Sequence, residues 1–377
     1  MNILQRMVDL PKALAARIGD HGAGLSLLVI RLGAMGDIVR TLPAVRLVRF
    51  GLPDARIHWL AWEPWSTLLA GHPDLDGVVA VPRAALRAQA KDPTRWGGLA
   101  GTTRRLTREL RGLRATLVMD FHGDLRSGLL GRLSGAPVRL GYEGHQQKEG
   151  NRLLTTHRVP SGDRRTPRLE RNLDLVRALG LPVRPVPDAG IELDEGTLAE
   201  ARAIVAGSGD YAILSPGASV RQAYKKPPAP LFAAAARRLA REGIAPWVVH
   251  GPGEADDADR VVRASEGIAR LAPPTTLMTL TALIAGARLF VGGDSGPMHL
   301  ACGVGCPVVG IYGPTDPLVN TPWNVPFETV SPPGRRYTGI KAKDRAGGGF
   351  EGIADGMVAR AVEVVLSRAR SASPAPE

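Results

Sequence analysis

Two glycine-rich turns, each joining an apolar strand to a helix, constrain this sequence more than any other feature. In the later one, the apolar run Leu289–Val291 passes through Gly292 and Gly293 into Asp294-Ser295-Gly296-Pro297. Aspartate and serine are common N-cap residues, and proline suits the first turn of a helix. Such a turn points free backbone N–H groups and the positive end of the helix dipole outward, which favours a phosphate. Taken alone, it predicts either an anion site or an ordinary capped connection.

The earlier turn follows the strand Leu27–Ile30 and reads Gly33-Ala-Met-Gly36-Asp37, before a helix predicted to run to about Arg49. It lacks the Gly-x-Gly-x-x-Gly spacing and a Walker lysine, so it is neither a dinucleotide-binding turn nor a P-loop. The Asp37 carboxylate at the helix start has two interpretations. It complements the helix dipole, or it accepts a proton from an incoming hydroxyl.

Apolar strands alternate with helical segments along the chain, which indicates βα units and mostly parallel sheets. The predicted strands are Leu27–Ile30, Arg56–Ala61, Gly77–Val81, Ala115–Asp120, Val138–Tyr142, Tyr211–Leu214, Pro246–His250, Leu289–Val291 and Val308–Tyr312, the last closing its sheet. The predicted fold is α/β, with two Rossmann-like domains facing across a cleft and ligands at the carboxyl ends of the strands.

Proline and glycine mark the predicted boundaries. The prediction assigns residues 25–182 to a first Rossmann-like domain, 183–196 to a linker with a hinge near Pro182–Pro187, and 197–350 to a second Rossmann-like domain. Residues 1–24 form a weakly amphipathic basic segment, 351–370 a helix that packs back across the boundary, and 371–377 a disordered tail.

The formal net charge of +12 limits the class of partner. A basic surface attracts nucleic acid, an anionic membrane or a phosphorylated substrate. Aromatic residues make up only 5%, and no basic run carries interleaved aromatics, which argues against an RNA-stacking surface. The arginines of Arg104–Arg114 are a solvated face by default. The two cysteines, Cys302 and Cys306, are expected as buried small side chains in a reducing compartment.

Three segments carry a resemblance to a known family. They are Arg31–Asp37 with Thr41-Leu-Pro43, then Val118–Ser127, and then Gly293–His299 continuing to Tyr312–Pro317. Together they resemble the lipopolysaccharide heptosyltransferases, glycosyltransferase family 9. The resemblance implies a glycosyltransferase B fold and transfer of heptose from ADP-heptose to the inner core of lipopolysaccharide. It also implies inversion at the transferred sugar, with no metal and no cofactor.

Carried over by position, the resemblance implies Asp37 as the catalytic base and Lys225 as the side chain that meets the donor phosphates. The neighbouring Lys226 leaves that second assignment open by one residue. Donor binding is expected from Gly36, Ser215, Ser219, Glu254, Thr276, Asp294, Ser295, Gly296 and His299. Within that set Glu254 would accept ribose hydroxyls, and Asp294 would face the transferred sugar. Acceptor binding is expected from His122 and Arg126. The resemblance thus implies that residues 25–182 form the acceptor-binding domain and 197–350 the nucleotide-sugar-binding domain.

Plainer interpretations stand beside several of these expectations. The acidic run Asp256–Asp259 is expected as the first turn of a helix rather than a metal site. His122 fits a polar loop as well as an acceptor site, and His299 is expected as a hydrogen-bonded spacer rather than a catalyst. Under the resemblance, Arg104–Arg114 would instead meet acceptor phosphates or lipid headgroups.

The partners expected are the nucleotide-sugar donor, the lipopolysaccharide core and an anionic membrane surface. The chain is expected to be a cytoplasmic monomer at the inner face of the cytoplasmic membrane, without nucleic acid. Three rival functions remain. They are the same fold with another nucleotide sugar or acceptor, a catalytically silent nucleotide-sugar sensor, and a nucleic-acid binder suggested by charge alone.

Overall fold

The computed structural model describes residues 10–338 and 349–372. The chain divides into two compact units, Met1–Glu192 and Leu193–Glu377. Parts of the predicted N-terminal segment and tail, residues 1–9 and 373–377, lie outside the described residues. Residues 371 and 372 of the predicted tail continue the last helix.

The first unit is built on a six-stranded parallel sheet with the order β3-β2-β1-β4-β5-β6. Its strands are β1 Ser26–Ile30, β2 Arg56–Trp62, β3 Gly77–Val81, β4 Leu117–Asp120, β5 Val138–Glu143 and β6 His157–Pro160. Its helices are α1 Lys12–Gly19, α2 Met35–Val39, α3 Leu42–Gly51, α4 Glu63–Ser66, α5 Arg83–Lys91, α6 Trp96–Gly112, α7 Leu125–Leu133 and α8 Arg168–Arg177. All five residues of β1 are buried, as expected of a central strand covered on both faces.

The second unit repeats this design with the order β12-β11-β10-β7-β8-β9, again all parallel. Its strands are β7 Tyr211–Ser215, β8 Ala245–Val248, β9 Arg270–Leu271, β10 Leu289–Gly293, β11 Val308–Ile311 and β12 Phe327–Val330. Its helices are α9 Glu195–Ile204, α10 Ala229–Arg241, α11 Ala255–Ala264, α12 Leu277–Ala285, α13 Gly296–Gly303 and α14 Asp355–Ala372. The prediction that Val308–Tyr312 closes the sheet is wrong, because β12 pairs beyond it.

Both units have the doubly wound strand order 3-2-1-4-5-6 counted within each unit, so the predicted fold class of two Rossmann-like domains is confirmed. The order reverses between β1 and β4 in the first unit and between β7 and β10 in the second. Ligands of such sheets bind outside the carboxyl ends of the strands at this reversal. Each glycine-rich turn lies there: one follows β1, and the other follows β10.

Two helices differ from their predicted bounds for local reasons. The helix expected from Asp37 to Arg49 is two helices, because α3 begins afresh with Pro43 in its first turn. The last helix begins at Asp355 rather than at the predicted residue 351, because Gly352 has a φ of +87°, which is not helical. Its buried side chains join the apolar core of the second unit, where α14 packs on α10, β11 and β12: Val358, Val362, Val365 and Leu366.

Much of the predicted linker is fastened to the first unit. Arg46 forms an ion pair with Asp188, and the Nε2 atom of His72 lies 2.8 Å from the carbonyl oxygen of Ala189. Arg184 forms an ion pair with Glu170 of α8. The hinge expected near Pro182–Pro187 therefore lies in chain that these contacts hold against the first unit.

Among residues 10–338 and 349–372, no helix combines the length and apolar character needed to cross a bilayer.

Candidate active site

In the first unit, the turn after β1 places the Asp37 carboxylate among three arginines. Its oxygens lie 2.8 Å from Nη2 of Arg31, 2.5 Å from Nη2 of Arg40 and 3.5 Å from Nη1 of Arg168. Gly33 has a φ of +151°, and a Cβ there would lie 2.9 Å from the ring of Trp65. A side chain at this position would therefore clash with Trp65 of α4, so the turn requires a glycine here.

The arginines set the ionisation of Asp37. Burial alone would raise the pKa of the carboxyl, but the charges of Arg31, Arg40 and Arg168 outweigh it and hold the pKa well below its ordinary value. Asp37 is thus ionised throughout the neutral range and able to accept a proton. The same charges weaken its affinity for that proton, since a general base works best with a pKa near the working pH.

This electrostatic arrangement predicts a pH-dependent stability. The pKa of Asp37 is lower in the folded state than in the unfolded state, so the ionised carboxylate stabilises the fold. This contribution is complete above the ordinary carboxyl pKa of about 4 and is lost as the pH falls through the pKa of the folded state. We expect Asp37→Asn to lower the free energy of unfolding at neutral pH, and the difference from wild type to shrink on acidification. Urea unfolding of both proteins at neutral and acidic pH measures this. A difference that does not change with pH would contradict it.

A small cleft in the first unit opens onto this carboxylate. Its lining residues come from the ends of β1, β4 and β5, from α2 and the residue after it, from the 3-10 turn after β5, and from α8: Arg31, Asp37, Arg40, Phe121, Tyr142, Gln146, Arg168 and Asn172. Asn172 donates to the carbonyl oxygen of Arg40 at 2.9 Å and to Oγ1 of Thr41 at 3.1 Å, which ties α8 to the turn. With three guanidinium groups around one carboxylate, the cleft is suited to an anionic ligand that carries hydroxyl groups.

The predicted acceptor residues His122 and Arg126 meet at one carboxylate. Oδ2 of Asp124 lies 3.2 Å from Nε2 of His122 and 2.9 Å from Nε of Arg126. Burial would raise the pKa of Asp124, but the hydrogen bond and charge of His122 outweigh it and lower the pKa. Asp124 also caps α7 by accepting from the backbone N–H of Ser127 at 3.0 Å. The cap therefore fixes the carboxylate on which both side chains converge.

A buried carboxylate beneath this pair organises the loop. Asp120 is 2% exposed and accepts hydrogen bonds from four groups: the backbone N–H of His122 at 2.9 Å, that of Gly123 at 3.0 Å, Oγ of Ser127 at 2.8 Å and Nδ2 of Asn151 at 2.9 Å. Burial raises its pKa. Asp120 thus holds the backbone that presents His122.

In the second unit, the two neighbouring lysines have different partners. Nζ of Lys225 lies 3.0 Å from Oδ2 of Asp294, at the end of β10, whereas Lys226 forms an ion pair with Asp257 of α11. A Cβ on Gly293 would lie 3.1 Å from the carbonyl oxygen of Lys225, so this glycine admits the lysine segment to the strand end. Lys225 is therefore the lysine that reaches the glycine-rich turn.

The glycine-rich turn presents a polar group that has no partner among the described residues. Asp294 is 4% exposed, and its Oδ1 lies 3.6 Å from Nε2 of the buried His299. Oγ of Ser295 is buried and makes no hydrogen bond with the described residues, although Ser295 precedes α13, where a serine commonly caps the helix. Gly296 is the first residue of α13, with Pro297 in its first turn. The hydroxyl and the uncapped helix start leave donors for an anion at this turn.

The turn after β8 places another predicted donor residue over the end of β7. Oε2 of Glu254 accepts from the backbone N–H of Gly251 at 2.9 Å, and a Cβ built on Gly217 would lie 2.0 Å from the same oxygen. The Glu254 carboxylate is therefore held against Gly217 by its Oε2 atom, and its Oε1 atom is available to accept a hydrogen bond from a hydroxyl group.

The other predicted donor residues have diverse surroundings. Ser215 is buried at the end of β7, and Ser219 is exposed at the start of the 3-10 turn Val220–Lys225. Thr276 uses its hydroxyl to cap α12, accepting from the backbone N–H of Thr279 at 3.0 Å. Gly36 belongs to the first unit, in the turn of Asp37, whereas the rest of the predicted donor set belongs to the second unit.

Sequence reasoning assigned no role to the three arginines. Arg31 and Arg40 stand within six residues of Asp37, so proximity was a usable signal. Arg168 lies on α8, 131 residues away, and only the fold brings it to Asp37.

The acidic residues Asp256–Asp259 lie at the start of helix α11. Asp256 and Asp257 lie in its first turn, and Asp257 is paired with Lys226 and Arg260. Among the described residues, no group of three or more His, Cys, Asp or Glu side chains is placed to hold a metal ion.

Comparison with known proteins adds an independent finding. The sequence model described as "Glycosyltransferase family 9 (heptosyltransferase)" matches residues 103–345. The Escherichia coli protein named lipopolysaccharide heptosyltransferase 3 is 26% identical over 306 residues, which cover 77% of this chain and 84% of that protein.

Solved structures agree at the level of the fold. The structure of the E. coli ADP-heptose lipopolysaccharide heptosyltransferase II has a TM-score of 0.70 and 20% identity, over 92% of this chain and 100% of that one. The structure of the E. coli heptosyltransferase WaaC with ADP has a TM-score of 0.67 and 20% identity, over 92% of this chain and 99% of that one.

Proposed function

Because the chain belongs to glycosyltransferase family 9, the heptosyltransferases, we propose that this glycosyltransferase moves heptose from ADP-heptose to the inner core of lipopolysaccharide. Relatives named lipopolysaccharide heptosyltransferase support the reaction, and the related WaaC structure with ADP supports the nucleotide. The observation that carries the proposal is the buried hydroxyl of Ser295 at the start of α13, which has no partner in the described part of the chain and lies beside the pair of Asp294 and Lys225.

In this proposal the second unit binds the donor. Ser295 and the backbone N–H groups at the start of α13 hold the diphosphate, and Lys225 meets the charge that grows on it as the sugar departs. The second oxygen of Glu254 accepts a ribose hydroxyl. Ser215, Ser219, Thr276 and His299 remain proposed donor contacts.

The acceptor is proposed to bind in the first unit. As its hydroxyl oxygen forms a bond to the anomeric carbon, the bond from that carbon to the diphosphate oxygen breaks and the hydroxyl proton passes to Asp37. Attack from the face opposite the leaving group inverts the anomeric centre. We propose that no metal takes part, since Lys225 and the start of α13 offer positive charge to the leaving group.

The three arginines give this acceptor site a preference for anions. A carboxylate or phosphate on the acceptor would draw Arg31 or Arg168 toward itself, and the pKa of Asp37 would rise as their charge is shared. An anionic inner-core sugar in this site would therefore raise the proton affinity of Asp37, the base that its own glycosylation requires. His122 and Arg126, joined on Asp124, are proposed to contact the same acceptor.

The acceptor is a lipid, so we propose that the protein works while associated peripherally with the inner face of the cytoplasmic membrane. The net charge of +12 supports attraction to an anionic leaflet.

The direct test is purified protein with ADP-heptose and an inner-core acceptor, followed by ADP release and by mass spectrometry of the acceptor. Transfer from ADP-heptose, and little from UDP- or GDP-linked sugars, is expected. Transfer only from another nucleotide sugar would assign a different donor, and tight ADP binding without any transfer would identify a silent sensor.

The position of Glu254 gives a prediction for donor binding. Gly217→Ala would place a Cβ 2.0 Å from Oε2 of Glu254 and push that carboxylate off the N–H of Gly251. We expect the donor KM to rise about tenfold, the loss of roughly one hydrogen bond to a charged group. The melting temperature should change little, because the end of a flexible side chain can move. Gly356→Ala is the control, because no described residue beyond its own helical turn has an atom within 4 Å of the new Cβ. An unchanged donor KM would contradict the role of Glu254.

A further inference from the structure

We propose that a basic face of the first unit docks on an anionic lipid bilayer. The basic face consists of α5 and α6 with their connection (residues 83–114), α7 (125–133) and the 3-10 turn Asn151–Leu153. These elements are contiguous, because α5 packs on α6, α6 on α7, and α7 on the 3-10 turn. The inference deepens the proposed membrane association by naming the surface that makes it.

Charge is concentrated on this face. Residues 83–114 hold nine basic and two acidic residues, a net charge of +7 out of +12 for the whole chain. All nine basic side chains are exposed: Arg83, Arg87, Lys91, Arg95, Arg104, Arg105, Arg108, Arg111 and Arg114. Each basic side chain near an anionic leaflet strengthens partition by about fivefold. A cluster of this size is therefore sufficient for electrostatic attachment.

Exposed apolar side chains accompany the charge. Eight large hydrophobic residues are exposed in the described part of the chain, and four lie on the basic face: Trp96 at 58%, Leu125 at 48%, Leu129 at 49% and Leu153 at 79%. Leu125 and Leu129 are four residues apart and so share one side of α7. Tryptophan and leucine gain from entering the boundary between headgroups and acyl chains.

Helix α6 packs Leu106 and Leu110 in the core and presents an outward stripe that is apolar in its first turns and basic toward its end. A groove along it is lined by residues that recur every three or four positions: Trp96, Leu99, Ala100, Thr103, Arg104, Thr107, Arg108 and Arg111. Arginine stems can lie along such a surface while the guanidinium groups reach phosphates.

Other occupants fit less well. A polynucleotide would satisfy the arginines but offers no apolar phase to three exposed leucines, and Trp96 is the one exposed aromatic side chain described on the face. A second copy of the chain would bring one strongly positive surface against another, which is unfavourable. An anionic bilayer matches both the charge and the apolar side chains.

The test is flotation of the full chain with vesicles, in the absence of donor and acceptor. We expect binding to phosphatidylethanolamine–phosphatidylglycerol vesicles and none to phosphatidylcholine vesicles. The triple variant Arg104→Glu, Arg108→Glu, Arg111→Glu should lose about 100-fold in partition. The control variant Arg202→Glu, Arg241→Glu, Arg360→Glu makes the same charge change at exposed arginines of α9, α10 and α14 and should bind nearly as wild type. Equal losses in both variants would overturn the proposal.

A second readout locates the contact. The other five tryptophans are buried or half-buried, so brominated phosphatidylglycerol should quench chiefly Trp96, and Trp96→Phe should remove that quenching. No quenching, equal binding to neutral vesicles, DNA retention at physiological salt that outcompetes vesicles, or a dimer that the triple variant dissociates would each overturn the proposal. A chain that binds anionic vesicles but transfers no heptose would contradict only the proposed function.

Discussion

Asp37→Asn is expected to lower kcat for heptose transfer by about 100- to 10,000-fold, the usual contribution of a general base. The amide keeps the shape of the side chain but cannot take the proton of the acceptor hydroxyl. Donor binding should be unaffected, because Asp37 lies in the first unit and Lys225, Ser295 and Glu254 lie in the second. Initial rates of ADP release, with donor affinity measured by calorimetry, separate these effects.

A matched control is available on the same unit. Glu170 of α8 is also a carboxylate held by arginines, with Nη2 of Arg177 at 2.9 Å and Arg184 as a second partner, but it does not line the cleft at Asp37. Glu170→Gln should keep kcat close to that of wild type. If Asp37→Asn and Asp37→Ala both keep near-full turnover, another group is the base.

Lys225→Met is expected to lower kcat by about 100- to 1,000-fold, because it removes a fixed positive charge from the departing diphosphate. Lys226→Met is the natural comparison, since it removes the same charge one residue away. Lys226 is paired with Asp257 and not with the glycine-rich turn, so its loss should leave kcat nearly unchanged. Single-turnover rates with saturating donor measure the chemical step in both variants.

The effect of Lys225→Met on the free energy of unfolding must be separated from its effect on kcat. Lys225→Met removes the ammonium group that lies 3.0 Å from the buried Asp294 carboxylate, which should cost roughly 3 kcal/mol of unfolding free energy. The double variant Lys225→Met, Asp294→Asn removes both charges and should regain much of that stability while remaining inactive. Recovery of activity in the double variant would show that Lys225 serves only to neutralise Asp294. Equal losses in the Lys225 and Lys226 variants would contradict the assignment of Lys225.

The fold was predictable where apolar runs are long and covered on both faces. Strands β1 and β10 are wholly buried, and each contains an uninterrupted apolar run, Leu27–Ile30 or Leu289–Val291, that leads into a glycine-rich turn. The short strands β6, β9 and β12 were missed because they lie toward the edges of their sheets and are partly exposed. Their pairing depends on the neighbouring strand more than on their own composition.

The site was predictable to the extent that its parts are local. His122, Asp124 and Arg126 fall within five residues, and the turn Asp294–Gly296 is continuous in sequence. The choice between Lys225 and Lys226 could not be made from the sequence, because it depends on Asp257, which lies on another element. The depressed pKa of Asp37 was hidden for the same reason, since Arg168 is distant in the chain.

The contacts between the linker and the first unit limit where the chain can bend between the two units. Asp188 and Ala189 are bound to Arg46 and His72 of the first unit, while Asp194 caps α9 of the second by accepting from the backbone N–H of Thr197 at 2.8 Å. Only residues 190–193 are left between these anchors, a tether of about 14 Å when extended. Any rotation of one unit relative to the other requires changes in the backbone dihedral angles of these four residues. The first of them is Gly190, whose φ is +64°. A side chain at Gly190 would be strained at this φ, and its Cβ would lie 3.0 Å from the guanidinium group of Arg46, so a substitution there should restrict the motion.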